Sequence, residues 1–286
     1  MLLLAVAAVW GSSYLSVKVL TVDASVFAIL ATRFLIAAVL MVIVWGFQKD
    51  KKLPLRGVLV AVALGVIQAL IFAIETWGVK LTSATNAGLI VSMAIVFTPI
   101  LESVWLKRWL PRAYFVAATV SVVGVLLLVS EHGFKTPNIG DLLMLIAALL
   151  RALHVTAMGR WTEGQSYGTV TMTLIQTLVC AVGFLLLDLP HFQETVMGFN
   201  GVQWLDLLYL AAACTVFAFL VTLWSVRRTS AARVSLLLGT EPVWAVLFGV
   251  TLGAEMLGWI GALGALLIIF GSYRAQAVEL KHRLAS

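Results

Sequence analysis

The chain has 286 residues, 62% of them hydrophobic and 11% charged, with a net charge of +6. A typical soluble domain carries about 25% charged residues, so there is too little polar surface here to wrap an aqueous core. This composition excludes a water-soluble globule and a disordered chain, and two cysteines inside apolar runs, Cys180 and Cys214, exclude a secreted disulfide scaffold.

Ten apolar stretches follow in order, at 2–20, 24–47, 57–78, 83–105, 113–130, 139–158, 167–187, 204–226, 231–252 and 257–274. Each approaches the roughly 20 residues with which a helix crosses a bilayer, and none alternates as a barrel strand does. The expectation is an all-α polytopic membrane protein with ten transmembrane helices, short loops and no soluble domain. The first stretch has no basic segment before it and no A-x-A cleavage site after it, which predicts a retained helix rather than a leader.

Polar residues inside these stretches are the candidates for function, because a charge in hydrocarbon needs a partner or a cavity. On the first helix, Val6, Trp10, Ser13 and Val17 form a stripe with Tyr14 beside it. The second carries Arg33 mid-span, read as structural, by snorkelling or pairing, with substrate contact as the alternative. On the third, Gln68, Phe72 and Glu75 share a face, with Glu75 near the outer end, and Gly78 to Thr82 makes a tight connection. The fourth aligns Asn86, Ile90, Met93 and Phe97 and then holds Pro99. On the sixth, Arg151 and His154 lie one turn apart between Ala147 and Met158. The seventh offers Thr169, Thr173 and Gln176, the eighth Thr215, Phe219 and Thr222, and the ninth Leu237, Glu241, Trp244 and Phe248 with Pro242. Gly249 and Gly253, with a glycine-rich tenth helix, permit close packing within the chain or between copies, so monomer and homodimer both stay open.

Basic residues sort by side. With the N-terminus on one face, that face receives Lys49, Lys51, Lys52, Arg56, Lys107, Arg108, Arg112, Arg160, Arg227, Arg228, Arg233, Arg274, Lys281 and Arg283. The other face receives Lys18, Lys80 and Lys135, while Arg33 and Arg151 fall inside spans. The excess marks the cytoplasmic face, so both termini are expected there and the number of spans must be even. The Lys-rich 49–56 loop is topological under this reading, and nucleic acid is not an expected partner.

The chain also resembles itself. Trp77-Gly78-Val79-Lys80-Leu81-Thr82-Ser83-Ala84 matches Trp224-Ser225-Val226-Arg227-Arg228-Thr229-Ser230-Ala231. The halves are then 1–131 and 138–275, with five helices each. An odd number of helices forces the second copy to enter from the opposite face, giving two inverted repeats. That plan recurs in secondary transporters, which bind substrate near the midplane between the repeats.

Five short runs, Trp10-Gly11-Ser12-Ser13, Arg33-Phe34, Thr82-Ser83-Ala84-Thr85-Asn86-Ala87, Gly140-Asp141 and Glu241-Pro242, carry a further resemblance. In that order and spacing the chain resembles the EamA-type members of the drug/metabolite transporter superfamily, over essentially its whole length. The resemblance implies a ten-helix fold of inverted five-helix repeats and export of small metabolites, often amino acids, in particular the aromatic amino-acid exporters of bacterial inner membranes. The family commonly places a glutamate after the fourth and ninth helices. Glu255 fits, whereas the first half has Lys107-Arg108.

Candidate substrate-binding residues are therefore Trp10, Ser13, Tyr14, Gln68, Glu75, Asn86, Met93, Arg151, His154, Thr215, Glu241 and Trp244, with Pro99 and Pro242 as hinges. Arg151 either receives a substrate carboxylate or pairs structurally with Glu241. Glu75 either attracts an ammonium group or is simply hydrated. His154 is a proton carrier or a hydrogen-bonded wall residue, and proton coupling would fall to Glu241, Glu75 or His154. Met and aromatic linings suit an apolar or aromatic solute. With no Walker A loop, no H-E-x-x-H and no C-x-x-C, no ATP site, metal, cofactor or catalytic residue is expected. Transport of another metabolite or a cationic drug, a channel, or an intramembrane enzyme are the competing readings.

Overall fold

Hydrocarbon offers backbone groups no water, so each segment must satisfy its own, and a helix does that internally. The computed structural model describes residues 2–48, 53–106, 109, 111–129, 138–229, 231–253 and 257–285. Lys49, Lys51, Lys52, Lys107, Arg108, Lys135, Ser230 and Glu255 lie outside the described residues. Among the described residues the protein is all-helical. The helices are α1 (Leu2–Asp23), α2 (Val26–Gly46), α3 (Leu55–Leu81), α4 (Ala84–Val91), α5 (Ala94–Leu106), α6 (Arg112–Val129), α7 (Ile139–Thr162) and α8 (Thr169–Asp188). There follow α9 (Phe192–Gly198), α10 (Gly201–Ala211), a π-helical segment (Ala212–Phe217), α11 (Ala218–Arg228), α12 (Ala231–Leu238), α13 (Glu241–Thr251) and α14 (Trp259–Ala285).

Eight of the described helical stretches are long and apolar enough to cross a membrane, counting Ala84–Trp105 and Gly201–Arg228 as one each. Arg112–Gly124 and Glu241–Thr251 are shorter apolar helices. Helix starts follow local chemistry. Ser25 and Ser83 accept from the amides of Ala28 and Asn86, and Asn138 with Asp141 and Asn200 with Gln203 form reciprocal capping boxes.

α3 lies antiparallel against α7. The Thr82 hydroxyl, just past the end of α3, donates to Asp141 at the start of α7 at 2.7 Å, while Arg56 of α3 and Trp161 of α7 border one depression at the other end. α2 packs on α8, α6 on α14, α4 on α13, and α1 on α13 as α5 does on α7. Two glycines set the α6–α14 distance. A Cβ on Gly124 would sit 2.6 Å from the Gly264 carbonyl oxygen, and one on Gly271 would sit 2.6 Å from the Ser121 nitrogen. Gly11 likewise lets α1 close onto α13, where a Cβ would meet that of Trp244 at 2.5 Å.

The interruptions of the fourth and ninth apolar stretches do not coincide with the two prolines. The first falls at Ser92–Met93, between α4 and α5, and the second at Gly239–Thr240, between α12 and α13. These breaks keep the sequence spacing of the Trp77 and Trp224 motifs. Pro242 occupies the first turn of α13, where a missing N–H costs nothing. Pro99 lies inside α5, and its own lost N–H leaves that helix continuous. A third irregularity, the π segment, was not legible in the hydrophobic pattern. There the Thr215 hydroxyl donates to the Leu210 carbonyl at 2.9 Å and the Trp10 indole takes the Cys214 carbonyl at 2.9 Å, so side chains replace part of the regular ladder.

Candidate functional site

Three helices bring charges to one place, and a fourth adds a hydroxyl and a ring. Arg151 of α7 forks onto Glu75 of α3, Nε to Oε2 at 3.0 Å and Nη2 to Oε1 at 3.1 Å. Its Nη1 donates to both oxygens of Glu241, at the first turn of α13, at 3.2 Å. Tyr14 of α1 donates to Glu241 Oε1 at 2.5 Å, and the guanidinium carbon sits 5.1 Å from the centroid of the Trp10 ring. The three ionisable side chains are 16%, 9% and 5% exposed, so each charge depends on its neighbours. Two carboxylates to one guanidinium leave the cluster formally anionic. The Arg151–Glu241 pairing anticipated from sequence is present, and Glu75 joins it. Glu75 is not hydrated at an outer end, because α3 runs on to Leu81 and buries it well inside the bundle.

Beside this cluster is a cavity of about 90 Å³. Trp10, Gln68, Arg151, His154 and Glu241 line it, with apolar walls from Ile71, Phe72, Phe219 and Leu223. Both helix breaks border it, through Ser92 and Ala94 on one side and Leu238 and Glu241 on the other. Tyr14 and Glu75 stand behind the lining as partners of Glu241 and Arg151. Other expected residues are not part of the wall. Ser13 turns back to the Trp10 carbonyl, and Asn86 sits half-buried in the first turn of α4. Met93 packs at the break in an apolar cluster with Tyr14 and Ile90. Thr215 accepts from Arg33 Nε at 2.9 Å, and Trp244 stacks on Phe248 with centroids 6.3 Å apart.

Sequence reasoning missed Ser92, Thr98 and Ser235 in the wall, and it noted Thr173 and Gln176 on the seventh helix without assigning them to a cavity. The signal for the last two was their three-residue spacing on α8. Arg33 itself is buried in a nest of rings, 4.6 Å from the centroid of Phe72 and 5.7 Å from that of Phe34.

The two ends of the bundle differ. At the end where α3 finishes and α7 begins, the Lys18 ammonium donates to the carbonyls of Val79, Lys80 and Thr82, at 3.1, 3.0 and 2.5 Å, closing the C-terminus of α3 with a cation. At the opposite, basic end a depression of about 590 Å³ opens among Arg160, Glu163, Arg227, Arg228, Trp105 and Trp224. Arg228 lies 4.6 Å over the Trp224 ring, and Arg227 holds the carbonyls of Gln165 and Tyr167. Val155 and Met158 of α7 line the central cavity while Thr156 and Gly159 line this wider one, so the two are neighbours along that helix. The arrangement can hold a compact solute with charge at one side and an apolar body at the other.

The sequence model of the EamA-like transporter family matches residues 1–130 and again 138–274. An uncharacterized transporter of Archaeoglobus fulgidus is 28% identical over 269 residues, covering 92% of this chain and 81% of that protein. The uncharacterized transporter YcxC of Bacillus subtilis is 25% identical over 91% of this chain and 87% of its own. The uncharacterized inner membrane transporter YedA of Escherichia coli is 23% identical, over 92% and 85%. A solved crystal structure superposes with a TM-score of 0.68 over 99% of this chain and 98% of its own, and at 19% identity that likeness speaks for the fold alone.

Proposed function

The chain belongs to the EamA-like transporter family and is a multi-pass membrane transporter, and from that premise we propose that it is a secondary transporter exporting small amphipathic metabolites, with apolar or aromatic amino acids as the leading class. The observation that carries the substrate class is the Glu75–Arg151–Glu241 cluster beside an apolar wall. A zwitterion brings both charges. Its carboxylate replaces a glutamate on the Arg151 fork, and its ammonium engages the glutamate so released. The aromatic faces of Trp10, Phe72 and Phe219 then cover the side chain.

Alternating access between two inverted five-helix halves is the mechanism we assign. The twofold family match supports it, as does the packing. α2 on α8 and α6 on α14 pair equivalent members of the two halves, and α4 on α13 joins the two broken stretches, the fourth and the ninth. Breaks at equivalent register in both halves supply the flexible points, Ser92–Met93 and Gly239–Thr240 with Pro242. The basic end, with its wide depression, is read as cytoplasmic, in the inner membrane of a bacterium, and the Lys18 seal as the closed outer end.

Counterflow into proteoliposomes tests this. Internal unlabelled phenylalanine or tryptophan is expected to accelerate uptake of the labelled amino acid, with saturation. Flux without saturation or counterflow stimulation means a channel, and a chemical product means an enzyme. Equal rates with and without a pH gradient remove proton coupling. The formal excess of carboxylate over guanidinium favours one other reading, a cationic drug-like substrate, which counterflow by organic amines but not amino acids would establish.

A further inference from the structure

Hydroxyl groups on membrane helices ordinarily bond back to their own backbone. In this protein Thr98, Thr156, Thr173 and Thr177 each donate to the carbonyl four residues earlier. Polar residues of the cavity wall do the same. Ser92 donates to the Leu89 carbonyl and the Gln176 amide to that of Met172. Three wall atoms break the pattern. Among the described residues, Oε1 of Gln68 on α3, Nε2 of His154 on α7 and Oγ1 of Thr222 on α11 meet no hydrogen-bond partner, although their residues are 5%, 7% and 4% exposed. The polar neighbours of the imidazole are Gln176 and the Leu64 carbonyl.

Native interiors leave few buried polar atoms unmatched, because each forfeits its water without compensation. Three of them, from three different helices, border one cavity. All three belong to uncharged or neutral-capable groups, and Ile71, Phe72, Phe219 and Leu223 share the same wall. The charged cluster begins one helical turn from His154, at Arg151. The cavity is therefore divided. One part matches charge, the other matches a neutral donor or acceptor within an apolar surround.

We propose that Gln68, His154 and Thr222 form a second subsite of the cavity, which takes a neutral hydrogen-bonding group, a hydroxyl or an N–H, at the tip of an otherwise apolar substrate. The subsite deepens the transport reading by naming a feature of the substrate, and it is independent of which charges the other end carries. A site built to bond such a group discriminates against the analogue that lacks it, since the analogue leaves the protein atoms unmatched.

The test is binding to the purified full chain of three matched pairs, namely tyrosine and phenylalanine, tyramine and phenethylamine, and 4-hydroxyphenylpropionate and phenylpropionate. The hydroxylated member is expected to bind about 10-fold or more tightly in at least one pair. Thr222→Val, which keeps shape and removes the hydroxyl, and separately Gln68→Leu, are expected to bring that ratio toward unity. Equal affinities in every wild-type pair, or no binding in any, overturn the subsite, as does a ratio that survives both substitutions. A preference confined to the amine or acid pair sustains the subsite while removing the amino-acid reading.

Discussion

Arg33 and Arg151 occupy the same hydrophobic bundle and are handled in opposite ways. Arg151 faces the cavity and is neutralised by two carboxylates, the groups that the proposed function exchanges for a solute's. Arg33 is 3% exposed and, among the described residues, pairs with no carboxylate. Its guanidinium rests on the faces of Phe72 and Phe34 and donates to the Thr215 hydroxyl. An arginine meant to trade partners needs counter-ions at hand, whereas one that holds helices together needs only polarisable surfaces and a single acceptor.

That contrast can be broken experimentally, most severely at the exchangeable site. Arg151→Ala strands two buried carboxylates, and a cost of about 3–5 kcal/mol is expected, with counterflow abolished. Unfolding in detergent and flux in liposomes both read it. Glu241→Gln keeps shape and an acceptor for Tyr14 but removes one charge. Here about 2 kcal/mol is expected, with transport of zwitterions and cations lost well before the fold. Arg33→Met strands no anion. The expected loss is about 1–2 kcal/mol, from the ring contacts and one hydrogen bond, with substrate affinity unchanged in an isotherm. Thr215→Val, which removes the acceptor for Arg33 and the donor to the Leu210 carbonyl, should cost about 0.5–1.5 kcal/mol in the same unfolding measurement. If Arg33→Met abolished transport as completely as Arg151→Ala, the division of labour between the two arginines would be wrong.

Eight of the ten expected spans were legible because apolar run length decides where a chain can cross hydrocarbon, while among the described residues the fifth and ninth stretches hold only shorter apolar helices. The central pairing was half legible. Arg151 and Glu241 announce themselves as charges in apolar runs, but Glu75 looked peripheral until the true length of α3 placed it deep. The break at Ser92–Met93 was hidden because proline was the visible signal, and Pro99 removes only its own N–H while α5 continues through it. Trp244 shared a stripe with the wall residue Glu241, yet periodicity fixes only a face and not what lies opposite. Gln68 and His154 were found by their faces, while Ser92 entered the wall through a break, which no helical wheel represents.

The π segment gives the last lesson. Ala212–Phe217 inserts a wide turn into an otherwise regular rod. Were the same residues wound as regular α-helix, everything beyond them would swing by about 100°. Phe219 and Thr222 would leave the hollow together, and Arg227 would lose its grip on the loop carbonyls of Gln165 and Tyr167. A single surplus residue, taken up by the wide turn, thus works as an indexing notch, aligning α11 with the central cavity while α10 stays docked on α1 and α2.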